Sequence, residues 1–187
     1  MFNITPKNSN DIQKYLSSIS NIGRKRKFNK NEFLYREGDD PSHLFYMTRG
    51  LVKCFYLNDG KEIILRLMTD DSAVLSYAGF ITGKKSLEYI ECLQPCEGIW
   101  IPLKEVEKRR EEDHEIDTVF RYLAEQHYLS MERRLRMLHH KSSKDRYLYF
   151  YETMEKKIIE QTPMQSIASY LGVTPESFSR MKRELNN

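Results

Sequence analysis

Residues 162–185 read TPMQSIASYLGVTPESFSRMKREL, with the pair Thr-Pro at 162–163 and again at 174–175. Thr162-Pro163-Met164-Gln165 has the form of a capping box. The Thr162 hydroxyl can accept a backbone amide, Pro163 suits the first helical position, and Gln165 can reach back to the cap. Ile167, Ala168 and Leu171 make an inner face, and Gly172 stands where a left-handed stop belongs. Thr174-Pro175-Glu176 then opens a second helix. Two helices joined by a turn of about three to four residues containing Gly describe a helix-turn-helix.

The last helix carries the functional reading. At about 100° per residue, Phe178, Met181 and Leu185 point toward a core while Glu176, Arg180 and Arg183 share the opposite side. Arginine can donate two hydrogen bonds to guanine and a carboxylate can accept from cytosine, so this outward set has the chemistry of base readers. Thr174, Ser177 and the free amides at the helix start can hold a phosphate. An ordinary solvated helix end with a Glu176–Arg180 pair is the bland alternative.

Working backward, Ser142-Ser143 can cap a helix that carries Tyr147, Leu148, Phe150, Tyr151 and Met154 at helical spacing. Between Met131 and Tyr147, Arg133, Arg134, Arg136, Lys141, Lys144 and Arg146 outnumber Glu132 and Asp145, a basic stretch that can border phosphates or simply face water. From about Glu105 to His140 the absence of Gly and Pro predicts one long helix with two stripes. Phe120, Ala124, Tyr128, Met131, Leu135 and Leu138 form one; Ile116, Val119, Leu123, Gln126 and Ser130 form the other. One stripe can cover a neighbouring sheet, and the second predicts a homodimer. The expected partner-facing set is Ile116, Val119, Leu123, Gln126 and Ser130, with the two polar positions fixing register.

Upstream, from Phe28 to about Ile101, the periodicity changes to strands. FLYREG, HLFYMTRG, LVKCFYL, EIILRLM and EGIWIP are short aromatic and branched runs, broken at Gly38, Gly50 and Asn58-Asp59-Gly60. Asn58-Asp59-Gly60 predicts a tight hairpin. The expected class is therefore α+β: a β-roll, a long helix and a helix-turn-helix. DIQKYLSSIS, residues 11–20, predicts a short helix on the roll.

Composition bounds the alternatives. The chain has 187 residues, 40% hydrophobic and 30% charged, with a net charge of +3. No run approaches the about 18 to 20 apolar residues of a membrane span, and MFNITPKNSN lacks a secretory layout, so the expected location is the cytoplasm, with no membrane partner. Cys54, Cys92 and Cys96 support neither a disulfide framework nor a zinc ribbon; Cys92 and Cys96 are expected as small core residues around a Pro95 turn. His43, His114, His127, His139 and His140 show no ligand spacing. Only His43 lies in the strand zone, too few imidazoles for a metal enzyme housed in a roll. With no nucleophile elbow, Walker loop or His-Glu-x-x-His stretch, no catalytic or metal residue is assigned and the chain is not read as an enzyme.

With these zones combined, the chain resembles the cyclic-AMP receptor protein / fumarate-nitrate regulator (CRP/FNR) superfamily of bacterial transcription factors over nearly its full length. NEFLYREGDDPSHLFYMTRGLVKCFYLNDGKEIILRL is similar to the family's β-roll, and IASYLGVTPESFSRMKREL to its helix-turn-helix. The resemblance implies an effector-binding roll over residues 1–111, a dimerisation helix and hinge over 112–141, and a DNA-binding part over 142–187. It implies a homodimer on an approximately palindromic site, with RNA polymerase a further partner. Thr174 matches a phosphate-contacting position, and Glu176 and Arg180 match base-reading positions, while Pro175 replaces a further arginine found in some members.

The departures bear on the effector. Members that bind cyclic nucleotides carry a Gly-Glu pair and an Arg-Ser or Arg-Thr pair. Here DDSAVLSYAGFITGKKSLEYIE has no Gly-Glu, and Lys85-Ser86 occupies roughly the second place. Lysine lacks the bidentate fork for a cyclic phosphate. Ser76, Lys85 and Ser86 are therefore expected to line a pocket for an effector other than cyclic AMP, with no cofactor identified. The cysteine set argues against an iron–sulfur cluster. A wing hairpin, common in the family, is expected only from KKIIEQ, residues 156–161. The rival reading is a regulatory module that acts through protein contacts without DNA.

Overall fold

The computed structural model describes residues 21–110 and 114–186. The helix expected at residues 11–20 lies outside them. Among the described residues, eight strands fold into two four-stranded antiparallel sheets. In the order of pairing, the first holds β1 (Arg24–Phe28), β8 (Cys96–Pro102), β3 (His43–Arg49) and β6 (Ser72–Val74). The second holds β2 (Phe33–Tyr35), β7 (Tyr89–Cys92), β4 (Leu51–Asn58) and β5 (Lys61–Thr69). Asn58 pairs with Lys61 across a two-residue turn in which Asp59 and Gly60 both take positive φ, the conformation that matches strand twist in a tight hairpin. Phe28, Phe45, Val52, Ile90 and Trp100 fill the space between the sheets together with the three cysteines, all buried.

A short helix, α1 (Tyr77–Thr82), joins β6 to β7. After β8 the stretch expected as one helix is two: α2 (Leu103–Arg110) and α3 (His114–His139). Val106 and Ile116 belong to a single apolar cluster. Among the described residues no helix is long and apolar enough to cross a membrane.

The stripe of α3 expected to face a partner lies inside the chain, and Phe120 and Ala124 of the other stripe pack into the same cluster. Ile116, Val119 and Leu123 are buried against Leu44, Leu75, Ile101 and Leu103 of the same chain, so they cannot be the partner-facing set. Gln126 and Ser130 continue the inward face and line a cavity. The open stripe is the C-terminal part of the other set: Tyr128, Leu135 and Leu138 are 66%, 57% and 37% exposed. The inward face carries polar side chains because the rest of the molecule supplies their partners. Arg134, for example, is buried and donates to the Tyr170 carbonyl at 2.7 Å.

Four helices complete the molecule: α4 (Ser143–Thr153), α5 (Lys156–Gln161), α6 (Met164–Leu171) and α7 (Pro175–Asn186). Ser142 caps α4, accepting the Asp145 amide at 3.0 Å, as the sequence implies. KKIIEQ is helical and forms no wing. Thr162 closes α5, donating its amide to the Ile158 carbonyl, and does not cap α6; its buried hydroxyl has no partner among the described residues, and Pro163 sits at the start of α6 instead. Phe150, Ile158, Ile167, Leu171, Phe178 and Met181 share one cluster with Leu51, Phe55, Ile64 and Leu67 of the roll. The Ser169 hydroxyl reinforces this seam, donating to the Glu62 carbonyl at 2.7 Å and accepting the Ile64 amide at 3.1 Å.

Candidate nucleic-acid interface

The turn before α7 is held from both sides. Gly172 takes φ 67°, and the Val173 amide reaches back to the Ala168 carbonyl at 3.0 Å, which closes α6 in a left-handed cap. Two arginines satisfy the remaining carbonyls. Arg134 serves Tyr170, and Arg146 donates to Leu171 at 3.0 Å and Gly172 at 3.4 Å. These members of the basic stretch near the hinge are thus structural and are not available to phosphates. Lys144 of the same stretch remains exposed.

Thr174 begins the second helix, its hydroxyl oxygen accepting the Ser177 amide at 3.2 Å. The Ser177 hydroxyl lies 3.2 Å from the Thr174 hydroxyl oxygen. Phe178 and Met181 are buried and Leu185 packs against the same cluster. That placement leaves Glu176, Arg180 and Arg183 exposed on the far side. The Glu176 carboxyl is held below the usual carboxylate value by hydrogen bonds from its own backbone N–H and from the Thr174 hydroxyl, so at neutral pH it is an ionised acceptor. No ion pair among the described residues engages Arg180 or Arg183, and none joins Glu176 to Arg180.

Thr174, Glu176, Ser177 and Arg180 line a cleft of about 1730 Å3 together with Ser142, Ser143 and Lys144. Arg183 is exposed outside it. The roll forms the opposite wall through Lys30, Lys53, Lys61, Glu62 and Glu91. Sequence reading missed Lys30 and Lys61, since single lysines beside a turn carry no periodic or motif signal, whereas Lys144 belongs to the basic stretch already singled out.

The residues expected at an effector pocket divide between the interior and the surface of the roll. Ser76 and Ser86 are buried with their hydroxyls 2.8 Å apart, and the Ser86 hydroxyl also engages the Glu88 backbone; Lys85 is exposed. Nearby, the Arg66 guanidinium meets the Glu88 carboxylate at 2.5 Å with both side chains buried. A cavity of about 330 Å3 lies between the roll and α3, lined by Tyr46, Arg66, Tyr122, Gln126, His127 and Ser130 among others. The Gln126 side-chain nitrogen is buried there without a partner among the described residues.

His127 stacks on Tyr77 with ring centroids 4.7 Å apart, and its Nδ1 lies 3.3 Å from Arg66. A guanidinium can only donate, so Nδ1 accepts and the ring proton sits on Nε2. Burial and then the Arg66 charge push the imidazole down to about 4. Its folded pKa is below the unfolded value of about 6.5, so the unfolded chain binds the proton first. The stability His127 contributes is complete above about pH 6.5 and is lost as pH falls toward 4. Comparing the melting temperature of the wild type and His127→Gln between pH 7 and 5 should show a smaller acid decrease in the variant.

The cyclic nucleotide-binding domain family matches residues 25–113. FixK2 from Bradyrhizobium japonicum superimposes with a TM-score of 0.77 at 18% identity, covering 88% of this chain and 85% of that one. CLP from Xanthomonas campestris, described as a c-di-GMP responsive global regulator, gives 0.77 at 16%, covering 93% and 91%. The chain has the CRP/FNR fold. In sequence, 60 residues are 40% identical to the anaerobic regulatory protein of Bacillus subtilis (strain 168), a match that takes in 32% of this chain and 24% of that relative. Within the CRP/FNR fold of this chain, the Arg66–Glu88 pair and the Ser76–Ser86 contact occupy the roll interior.

Proposed function

We propose that this protein is a sequence-specific DNA-binding transcriptional regulator that engages an approximately palindromic site as a homodimer. One observation carries the reading: burial of Phe178 and Met181 leaves Glu176 and Arg180 exposed at a cleft, free of ion pairs among the described residues. These two residues read base edges, Thr174 and Ser177 set the start of the helix against the phosphate backbone, and Arg183 lies on the same helix just outside the cleft. The two reader helices of a dimer enter successive major grooves about 34 Å apart. The test is fluorescence anisotropy on a site that the wild type selects from random duplexes. Arg180→Ala should lose about 1–3 kcal/mol of discrimination while binding random duplex nearly unchanged. Wild-type protein that binds no duplex at low salt would favour a module working through protein contacts alone.

The dimer forms through Tyr128, Leu135 and Leu138. Tyr128→Glu with Leu135→Glu should sediment as a folded monomer at micromolar protein, where the wild type sediments as a dimer. Val119→Glu, by contrast, places a charge inside the chain and should unfold it. Control comes from a small molecule other than a cyclic nucleotide: the roll offers Lys85 on its surface, and its buried Arg66 guanidinium is already paired with Glu88 and so is not free to grip a cyclic phosphate.

A further inference from the structure

We propose that Cys92 and Cys96 form a redox-active pair that hydrogen peroxide closes to a disulfide and small thiols reopen. Both side chains lie in the core between the sheets, 0% and 1% exposed. Cys92 ends β7 and Cys96 opens β8, so the chain passes from one sheet to the other at this pair, with only Leu93, Gln94 and Pro95 between. The thiols are in contact, Cys92 donating a hydrogen bond to the Cys96 sulfur. Backbone holds each of them in place. A Cβ built on Gly50 would lie 2.5 Å from the Cys96 sulfur, so only glycine lets the chain pass so close to it. Cys92 is pinned by its own main chain, which donates to the Glu32 carbonyl at 2.9 Å and accepts the Asn31 amide at 2.8 Å.

The three cysteines of this core differ in chemistry. Burial pushes the Cys54 thiol up to about 12, which keeps it protonated and inert. Cys96 is held below the ordinary thiol value, first by the Cys92 hydrogen bond and then, against the effect of burial, by the Leu51 main chain and the Lys157 ammonium. Lys157 is brought there from α5 by Asp70, which it meets at 2.5 Å and which also accepts the Gly50 amide at 2.7 Å. Cys92 is raised by the same hydrogen bond and by burial. The pair thus divides into a nucleophile and a proton-bearing partner, as reactive dithiols do. Its cover is thin: Pro95 is exposed, Gln94 is half-buried, and the Gln94 carbonyl lies 3.3 Å from the Cys96 sulfur. Local opening of this connection admits a molecule hardly larger than water. The Cys96 sulfur attacks one peroxide oxygen, the O–O bond breaks, and the leaving oxygen takes the thiol proton and departs as water, which leaves a sulfenic acid. The Cys92 sulfur then attacks that sulfur, the S–O bond breaks, and the hydroxyl leaves with the Cys92 proton as a second water. The two thiols are oxidised and the peroxide is reduced. A bond closing so short a loop gains little from chain entropy, so thiol exchange reverses it.

The test treats the full chain with excess hydrogen peroxide in native buffer, removes the oxidant, unfolds the chain in urea and alkylates its thiols. The reduced protein takes up three alkyl groups, one on each cysteine. The oxidised protein should take up one, on Cys54, and before alkylation should weigh about 2 Da less. Dithiothreitol should restore all three thiols. Cys54→Ala should close the bond as the wild type does, and Cys92→Ala should stop at a Cys96 sulfenic acid that dimedone captures. The wild-type result decides even where a core variant fails to fold. Three free thiols after peroxide overturn the proposal, as does a bond that includes Cys54, a sulfinic acid at Cys96 without a bond, or closure that occurs only in chain already unfolded by urea. Each of these leaves the reader helix standing, with Arg180→Ala as its separate test.

Discussion

Glu88→Ala should lower the unfolding free energy by about 3–5 kcal/mol, because it strands the Arg66 guanidinium inside the roll. The two groups meet at 2.5 Å and are 6% and 7% exposed, so water cannot replace the lost carboxylate. The remaining contacts of Arg66 are weak: a 3.5 Å bond to the Leu75 carbonyl and a 3.3 Å contact with a neutral imidazole. For a chain of this size the melting temperature should fall by roughly 10 °C. Arg66→Met combined with Glu88→Leu tests the mechanism. Removing both charges removes their shared desolvation cost, so the double variant should lie within about 1 kcal/mol of the wild type or above it. If the double variant were as unstable as Glu88→Ala in urea titrations, packing rather than charge would be the cause.

The second large effect is at Phe178, which is 1% exposed and meets Tyr147 edge to face at 5.6 Å. Phe178→Ala should cost about 3–5 kcal/mol, the range for emptying a buried aromatic site. Its consequence differs in kind from that of Arg180→Ala. Arg180 is exposed, so its removal should leave the urea midpoint in place and relax base preference. Phe178→Ala undocks the reader and should weaken specific and random duplex binding alike. Phe178→Leu, which keeps most of the volume, should recover most of both.

The sequence made the reader legible because its apolar and polar residues alternate with a helical period and Gly172 marks the stop. The strands β2, β3, β4, β5 and β8 were readable from aromatic and branched runs. β1 was not, since RKRKF is an edge strand with one buried residue and looks like a charged loop. The stripes of α3 were misassigned for a physical reason: Gln126, His127, Ser130 and Arg134 interrupt an inward face, and partners hundreds of atoms away in the chain, such as Arg66 and the Tyr170 carbonyl, make that burial tolerable. Thr162 was read as a cap because a box motif carries no information on a preceding short helix that uses the same residue as its end. The contact between Ser76 and Ser86 was equally hidden, since a spacing cannot reveal that two serines will bond to each other.

The apolar cluster that runs from Leu51 and Ile64 through Ile167 to Phe178 has a consequence for engineering. A reader grafted alone from residue 142 onward would arrive without its floor, exposing Ile167, Leu171 and Met181 to solvent. Exchange of specificity between proteins of this architecture therefore has to move β5 and the Ser169 contact along with the helices, or be confined to Glu176, Arg180 and Arg183, whose replacement leaves the seam untouched.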